Sequence, residues 1–239
     1  MSAEENQKNT VRRVYNGSVN QYDRLRFGTY GGKLFDVWEK QYVLRFISGT
    51  KILHIGTATG RFAQLLPSLG YEYFGIEISE RMAQAAKTRG NGGNCEVVLG
   101  DGEILPFKSG SFDCVLSVRS FHFLPDPMAF LTEARRVLRE HGQVIASFEV
   151  FHPGRSIVEG LGIFPKPSPP RFNYRIEEVR FLFNRAGLNV LWSGRVTKLP
   201  LMAYFRANGL PSGLLKRIHP ALPYHFGTVG LVAGEINRR

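Results

Sequence analysis

The chain has 239 residues, the size of one large domain or of one domain with an appendage. Hydrophobic residues make up 43% and charged residues 21%, a balance that excludes disorder throughout and supports a sizeable core. Lysine and arginine number 31 against 20 acidic residues, a formal net charge of +11, but they are spread along the chain without a long run, so a solvated basic surface accounts for them more simply than a dedicated polyanion site.

Residues 8–47 read as helical, with Val11, Val14 and Tyr15 and then Leu34, Val37, Trp38 and Tyr42 on apolar faces, and with Gly28, Gly31 and Gly32 dividing the segment into two pieces. Lys51 to Ile55 is a short apolar strand ending at Gly56. A helix over Arg61–Leu69 stops at Gly70, Tyr73–Glu77 is the next strand, and Ser79 caps a helix over Glu80–Arg89. Cys95–Leu99 and Phe112–Ser117 form the third and fourth strands. Pro127 opens a helix that runs through Arg139 and is closed by Gly142, and Gln143–Phe148 is the fifth strand. Such alternation predicts βαβ units and a mostly parallel sheet. Prolines 153, 165, 167, 169 and 170 break the rhythm over 151–174. A helix over Arg175–Ala186 and a strand over Leu188–Val196 follow, then a second insertion over 197–225 and a last strand from Phe226 to Glu235.

No apolar run approaches the roughly 18–20 residues that a membrane-spanning helix needs. The polar start, Met1-Ser-Ala-Glu-Glu-Asn-Gln-Lys8, lacks the order of a secretory signal, and two cysteines, Cys95 and Cys114, make neither a disulfide framework nor a four-ligand zinc site. A reducing cytoplasm is the expected location, and no metal is expected. His219 and His225 fit no common zinc spacing.

The chemistry concentrates at three strand ends. Ile52-Leu-His-Ile-Gly-Thr-Ala-Thr-Gly60 runs from a strand through a glycine turn into a helix, where backbone can approach a ligand and free N–H groups point outward. Glu77 closes the second strand, where a carboxylate can accept both hydroxyls of a ribose. Asp101, in Gly100-Asp-Gly-Glu103, ends the third and can accept from an adenine amino group. Taken singly, each has a plainer reading as a packing turn, a solvated acid and a turn cap. On successive strand ends of one rim they predict a nucleoside cofactor.

With Ser111-Phe-Asp-Cys-Val-Leu-Ser117, Phe123-Leu-Pro-Asp126 and Arg135-Arg-Val-Leu-Arg-Glu-His-Gly142, these segments resemble the class I S-adenosylmethionine-dependent methyltransferases, of the small-molecule type that includes quinone-biosynthesis enzymes. The resemblance is close over residues 50–150. It implies a Rossmann-like α/β fold: a seven-stranded, mostly parallel sheet with its last strand antiparallel and helices on both faces. It also implies a single domain over 1–239, with a helical lid at 8–47, a cofactor core at 48–150, substrate-side insertions at 151–174 and 197–225, and the last strand and tail at 226–239. S-adenosylmethionine is the implied cofactor and S-adenosylhomocysteine its product. The implied cofactor contacts are Tyr22, His54, Gly56, Thr57, Ala58, Gly60, Glu77, Ile78, Asp101, Gly102, Glu103 and Ser117. Two positions depart from the pattern: His54 stands where the family usually carries an acid that helps organise the methionine end, and Ala58 where it carries glycine.

His122, just after the fourth strand, is the candidate base, and Arg119 the candidate holder of an anionic group on the acceptor. Tyr15 joins Tyr22 as a candidate lid aromatic. The apolar and basic insertion at 197–225 suits a small, partly hydrophobic acceptor, or one presented at a membrane surface; oligomeric state is open. A nicotinamide dehydrogenase would share the glycine turn and the second-strand acid but not the Leu-Pro-Phe segment. A nucleic-acid methyltransferase acting on exocyclic amines would carry an Asn/Asp-Pro-Pro-aromatic segment where this chain has Ser117-Val-Arg-Ser120. A methyltransferase-like protein with a noncatalytic or partner role is the remaining alternative.

Overall fold

The computed structural model describes residues 2–90, 94–151, 169, 171–197 and 229–236. In chain order these form α1 (Ala3–Phe27), α2 (Tyr30–Phe46), β1 (Lys51–Ile55), α3 (Arg61–Ser68), β2 (Glu72–Glu77), α4 (Glu80–Arg89), β3 (Cys95–Leu99) and β4 (Phe112–Val118). A 3-10 turn at Phe121–Phe123, α5 (Pro127–Val137), β5 (Leu138–Glu149), α6 (Ile176–Arg185), β6 (Leu188–Arg195) and β7 (Val229–Ile236) complete them. The seven strands make one sheet in the order β3-β2-β1-β4-β5-β7-β6. The first five pair in parallel, and β7 lies antiparallel between β5 and β6. The chain builds outward from β1 to β3, then returns to place β4 on the other side of β1. That reversal opens a crevice at the carboxyl ends of the strands, where open α/β sheets bind ligands.

Alternate strand residues enter two cores. Ile52, Tyr73, Cys114 and Leu116 pack with Phe35, Phe62, Leu66 and Ala83 on one face. Leu53, Ile55, Ile76 and Val115 pack with Phe130, Leu131, Val179 and Phe183 on the other. A parallel sheet covered on both faces needs such continuous apolar strands, which is why they stood out in the sequence.

Two boundaries differ from the sequence expectation. The N-terminal segment breaks only at Gly28 and Thr29, whose hydroxyl accepts from Gly32 N at 3.0 Å; Gly31 and Gly32 lie inside α2, against the end of α1, where a Cβ on Gly32 would strike backbone at Arg26. Close helix approach outweighs glycine's low helix propensity there. Helix α5 ends at Val137 because Leu138 is buried and paired with Phe112; β5 begins at that residue, and Gly142 lies within the strand beside the left-handed His141. The last strand is described over Val229–Ile236; residues 226–228 and most of both insertions fall outside the described residues. Among the described residues no helix is long and apolar enough to cross a membrane.

Candidate active site

The carboxyl ends of β1 to β4 open into one cavity, lying beneath α1, with about 940 Å³ of empty space including its open mouth. Ten of the sequence candidates line it: Tyr22, His54, Gly56, Thr57, Ala58, Glu77, Ile78, Asp101, Gly102 and Arg119.

The floor is the turn after β1. Gly56 N donates to Ile76 O at 2.8 Å, and its φ of 75° with Ser120 beside it leaves no room for a Cβ. Ala58 adopts φ 47°, a left-handed conformation that an alanine takes at a cost of about 1–2 kcal/mol. It is held there by Glu77, whose Oε2 accepts from Ala58 N at 2.8 Å while Oε1 accepts from Ser79 N at 3.1 Å. Burial pushes the Glu77 carboxyl above the usual carboxylate range, against the opposing pull of those N–H groups. Glu77 is therefore a buried acceptor fixed in position at the end of β2.

At the end of β3, Asp101 Oδ1 accepts from Glu103 N at 2.9 Å and Oδ2 from Lys8 Nζ at 2.7 Å. Lys8, on α1, also reaches Glu103 at 2.5 Å. Burial opposes the Lys8 charge, but bonds to the two carboxylates outweigh it and raise its pKa above the ordinary lysine value. Glu103 accepts from Asp126 N at 2.8 Å and does not line the cavity; it braces the wall behind Asp101.

Tyr15, Tyr22 and Phe123 form an aromatic cluster on another part of the wall, Tyr15 lying 6.0 Å from Tyr22 and 5.7 Å from Phe123 between ring centroids. Arg119 sits beside it at φ 58°, held by its backbone N–H, which bonds to Ser147 O and Oγ at 3.1 and 3.0 Å. Its guanidinium lies 5.2 Å from the Phe35 ring centre. A non-glycine residue in this conformation at a cavity wall is the kind of strain that functional sites retain.

Besides Glu103, three candidates are not brought to the cavity. Gly60, at φ 82°, packs against α4, where a Cβ would come within 2.7 Å of Ala86 Cα. Ser117 Oγ holds Ser120 Oγ at 2.8 Å and so positions a wall residue rather than forming the wall. His122 lies in the 3-10 turn, 1% exposed, and burial pushes its imidazole down to about 3, so it is a feeble proton acceptor at neutral pH. Lys8, Arg61, Phe62, Ser120, Phe123 and Leu124 line the cavity and were not singled out. Of these, Arg61 directly follows the glycine turn, and Phe123 and Leu124 fall in the segment Phe123-Leu-Pro-Asp126.

The set fits a nucleoside with an amino-acid tail. Two acceptors stand at adjacent strand ends, and in the same wall His54 Nε2 and Thr57 Oγ1 are buried with no hydrogen-bond partner among the described residues. Sheet order and crevice together define a Rossmann-like methyltransferase fold. The family model described as "Methyltransferase domain" matches residues 53–146 of the chain. The chain is 36% identical over 107 residues to an uncharacterized Methanocaldococcus jannaschii protein, a match covering 45% of this chain and 48% of that one, so the chain aligns with about half of that relative's length. It is 26% identical over 207 residues to a demethylmenaquinone methyltransferase of Tropheryma whipplei, covering 76% and 85%. The crystal structure of a Thermotoga maritima SAM-dependent methyltransferase, a possible histamine N-methyltransferase, superposes with a TM-score of 0.66 at 26% identity over 94% of this chain and 99% of that one.

Proposed function

We propose that the chain transfers the methyl group of S-adenosylmethionine to a small, partly hydrophobic acceptor in the reducing cytoplasm, with α1 as a lid. The observation that carries this reading is that Glu77, Asp101 and the aromatic cluster with Arg119 line one cavity. When bound, the cofactor supplies an electrophilic methyl carbon, and transfer is an in-line displacement dominated by positioning. Glu77 holds the ribose, Asp101 the adenine amino group, and Tyr15, Tyr22 and Phe123 pack the apolar part of the acceptor and exclude water. Arg119 binds an anionic group on it; burial and the neighbouring Arg26 charge hold the Arg119 pKa below the ordinary value, a situation that an anion relieves.

His54 and His122, both held at about 3, are poor bases. Neither is therefore the group that takes a proton from the acceptor. The resemblance to a demethylmenaquinone methyltransferase supports a ring-bearing acceptor. The test has two arms: S-adenosylmethionine raises Tm for the wild type but not for Glu77→Ala, and incubation with a metabolite extract yields a product heavier by one methyl group. An unchanged rise in Glu77→Ala would refute the ribose assignment. Cofactor binding with no methylated product would favour a noncatalytic role.

A further inference from the structure

His54 replaces the family's acidic residue at the end of β1, and its surroundings give it a definite chemical polarity. Its side chain is 2% exposed, and burial, with the Arg61 charge beside it, pushes the imidazole down to about 3, so it is neutral. Nδ1 lies 2.9 Å from the hydroxyl of Tyr73, which is fully buried and keeps its proton because burial pushes its pKa well above 10.

A neutral imidazole carries one N–H, so this bond can form in two ways. If Nδ1–H donates to Tyr73, both the Tyr73 O–H and the bare Nε2 are left buried and unsatisfied. If Tyr73 donates to Nδ1, only Nε2–H is left. The second arrangement strands one group instead of two and is the favoured tautomer. Nε2 has no partner among the described residues. In the same cavity wall stands Arg61, whose guanidinium is engaged by Asp36 and by Glu39 at 2.7 Å on α2. The wall thus offers an N–H donor where the family offers a carboxylate.

We propose that His54, fixed by Tyr73 as an Nε2–H donor, binds the carboxylate of the cofactor's methionine end, so that the carboxylate and not the ammonium is read at the end of β1. The proposal rests on the reading that S-adenosylmethionine occupies this cavity. Tyr73 acts through His54 and is a positioning residue.

Calorimetry with three ligands tests it: S-adenosylhomocysteine, its analogue lacking the carboxylate, and its analogue lacking the amino group. In the wild type, loss of the carboxylate weakens binding about tenfold more than loss of the amine, as expected for one charge-assisted hydrogen bond. Tyr73→Phe, which frees the imidazole to change tautomer, shrinks that ratio, and His54→Asp reverses the order. The readout is a ratio of two ligands within one variant, so a general loss of stability does not mimic it. A wild type that penalises loss of the amine more, or an order unchanged in His54→Asp, overturns the proposal. A wild type that gives no heat with S-adenosylhomocysteine refutes the cofactor reading itself, an outcome distinct from binding with the opposite order.

Discussion

Two buried imidazoles, His54 and His122, carry no charge at neutral pH, and their burial links folding to proton uptake. Each has its pKa lowered from an ordinary 6.5 to about 3. Between those values the unfolded chain binds a proton that the folded chain refuses, so stability falls as pH falls from about 6.5 towards 3. The slope is about 1.4 kcal/mol per pH unit for each histidine once its unfolded form is protonated. Urea unfolding of the wild type and of His122→Gln at pH 7 and pH 5 checks this. The stability of the wild type should drop by about 2 kcal/mol more than that of the variant over the interval. Parallel curves would show that His122 is protonated in the folded state. Residues at this scale divide by what a sequence can display. Glu77 and Asp101 were legible because each is a lone acid ending an apolar strand. Lys8 was not, because its partner Asp101 lies 93 positions away and only folding brings the two within 2.7 Å.

Among the elements, α1 is held by polar contacts more than by packing. Val11 is its one buried residue among those described. Lys8 bridges Asp101 and Glu103, Arg12 donates to Ile78 O at 3.2 Å, Asn16 Oδ1 accepts from Ser79 Oγ at 2.6 Å, and Asp23 pairs with Arg89 at 2.8 Å. Every one of these reaches the rim or the helices beside it. Half-exposed ion pairs contribute about 1 kcal/mol at most. Lys8→Met should therefore speed amide exchange over residues 5–15 about fivefold and leave β1 and β4 protected. Equal exchange in the two proteins would mean that α1 is held elsewhere. The periodicity of the segment announced a helix, but its break could not be placed. Three glycines competed for it, and the packing of α2 against the end of α1 decided in favour of Gly28.

Over the whole molecule, a ligand that binds only the folded chain stabilises all of it. At about 100 times its Kd the cofactor adds about 2.7 kcal/mol. For a chain of this size each kcal/mol raises Tm by about 2–4 °C, so a rise of roughly 5–10 °C is expected for the wild type. Glu77→Ala, which removes the acceptor at the end of β2, should lose most of it. A full rise in the variant would place the ribose elsewhere.

The sequence by itself determined the alternation of apolar strands and amphipathic helices, the glycine turn and the acids that end strands two and three. These are local patterns, dictated by burial on both sheet faces and by backbone approach at one turn. Tertiary structure alone decided that Lys8 covers Asp101, that His122 lies outside the cavity, that Gly60 serves helix packing and that the Tyr73 hydroxyl lies 2.9 Å from His54 Nδ1. Each of these depends on the direction of a side chain relative to an element distant in sequence, and such directions are set by packing that no local pattern records.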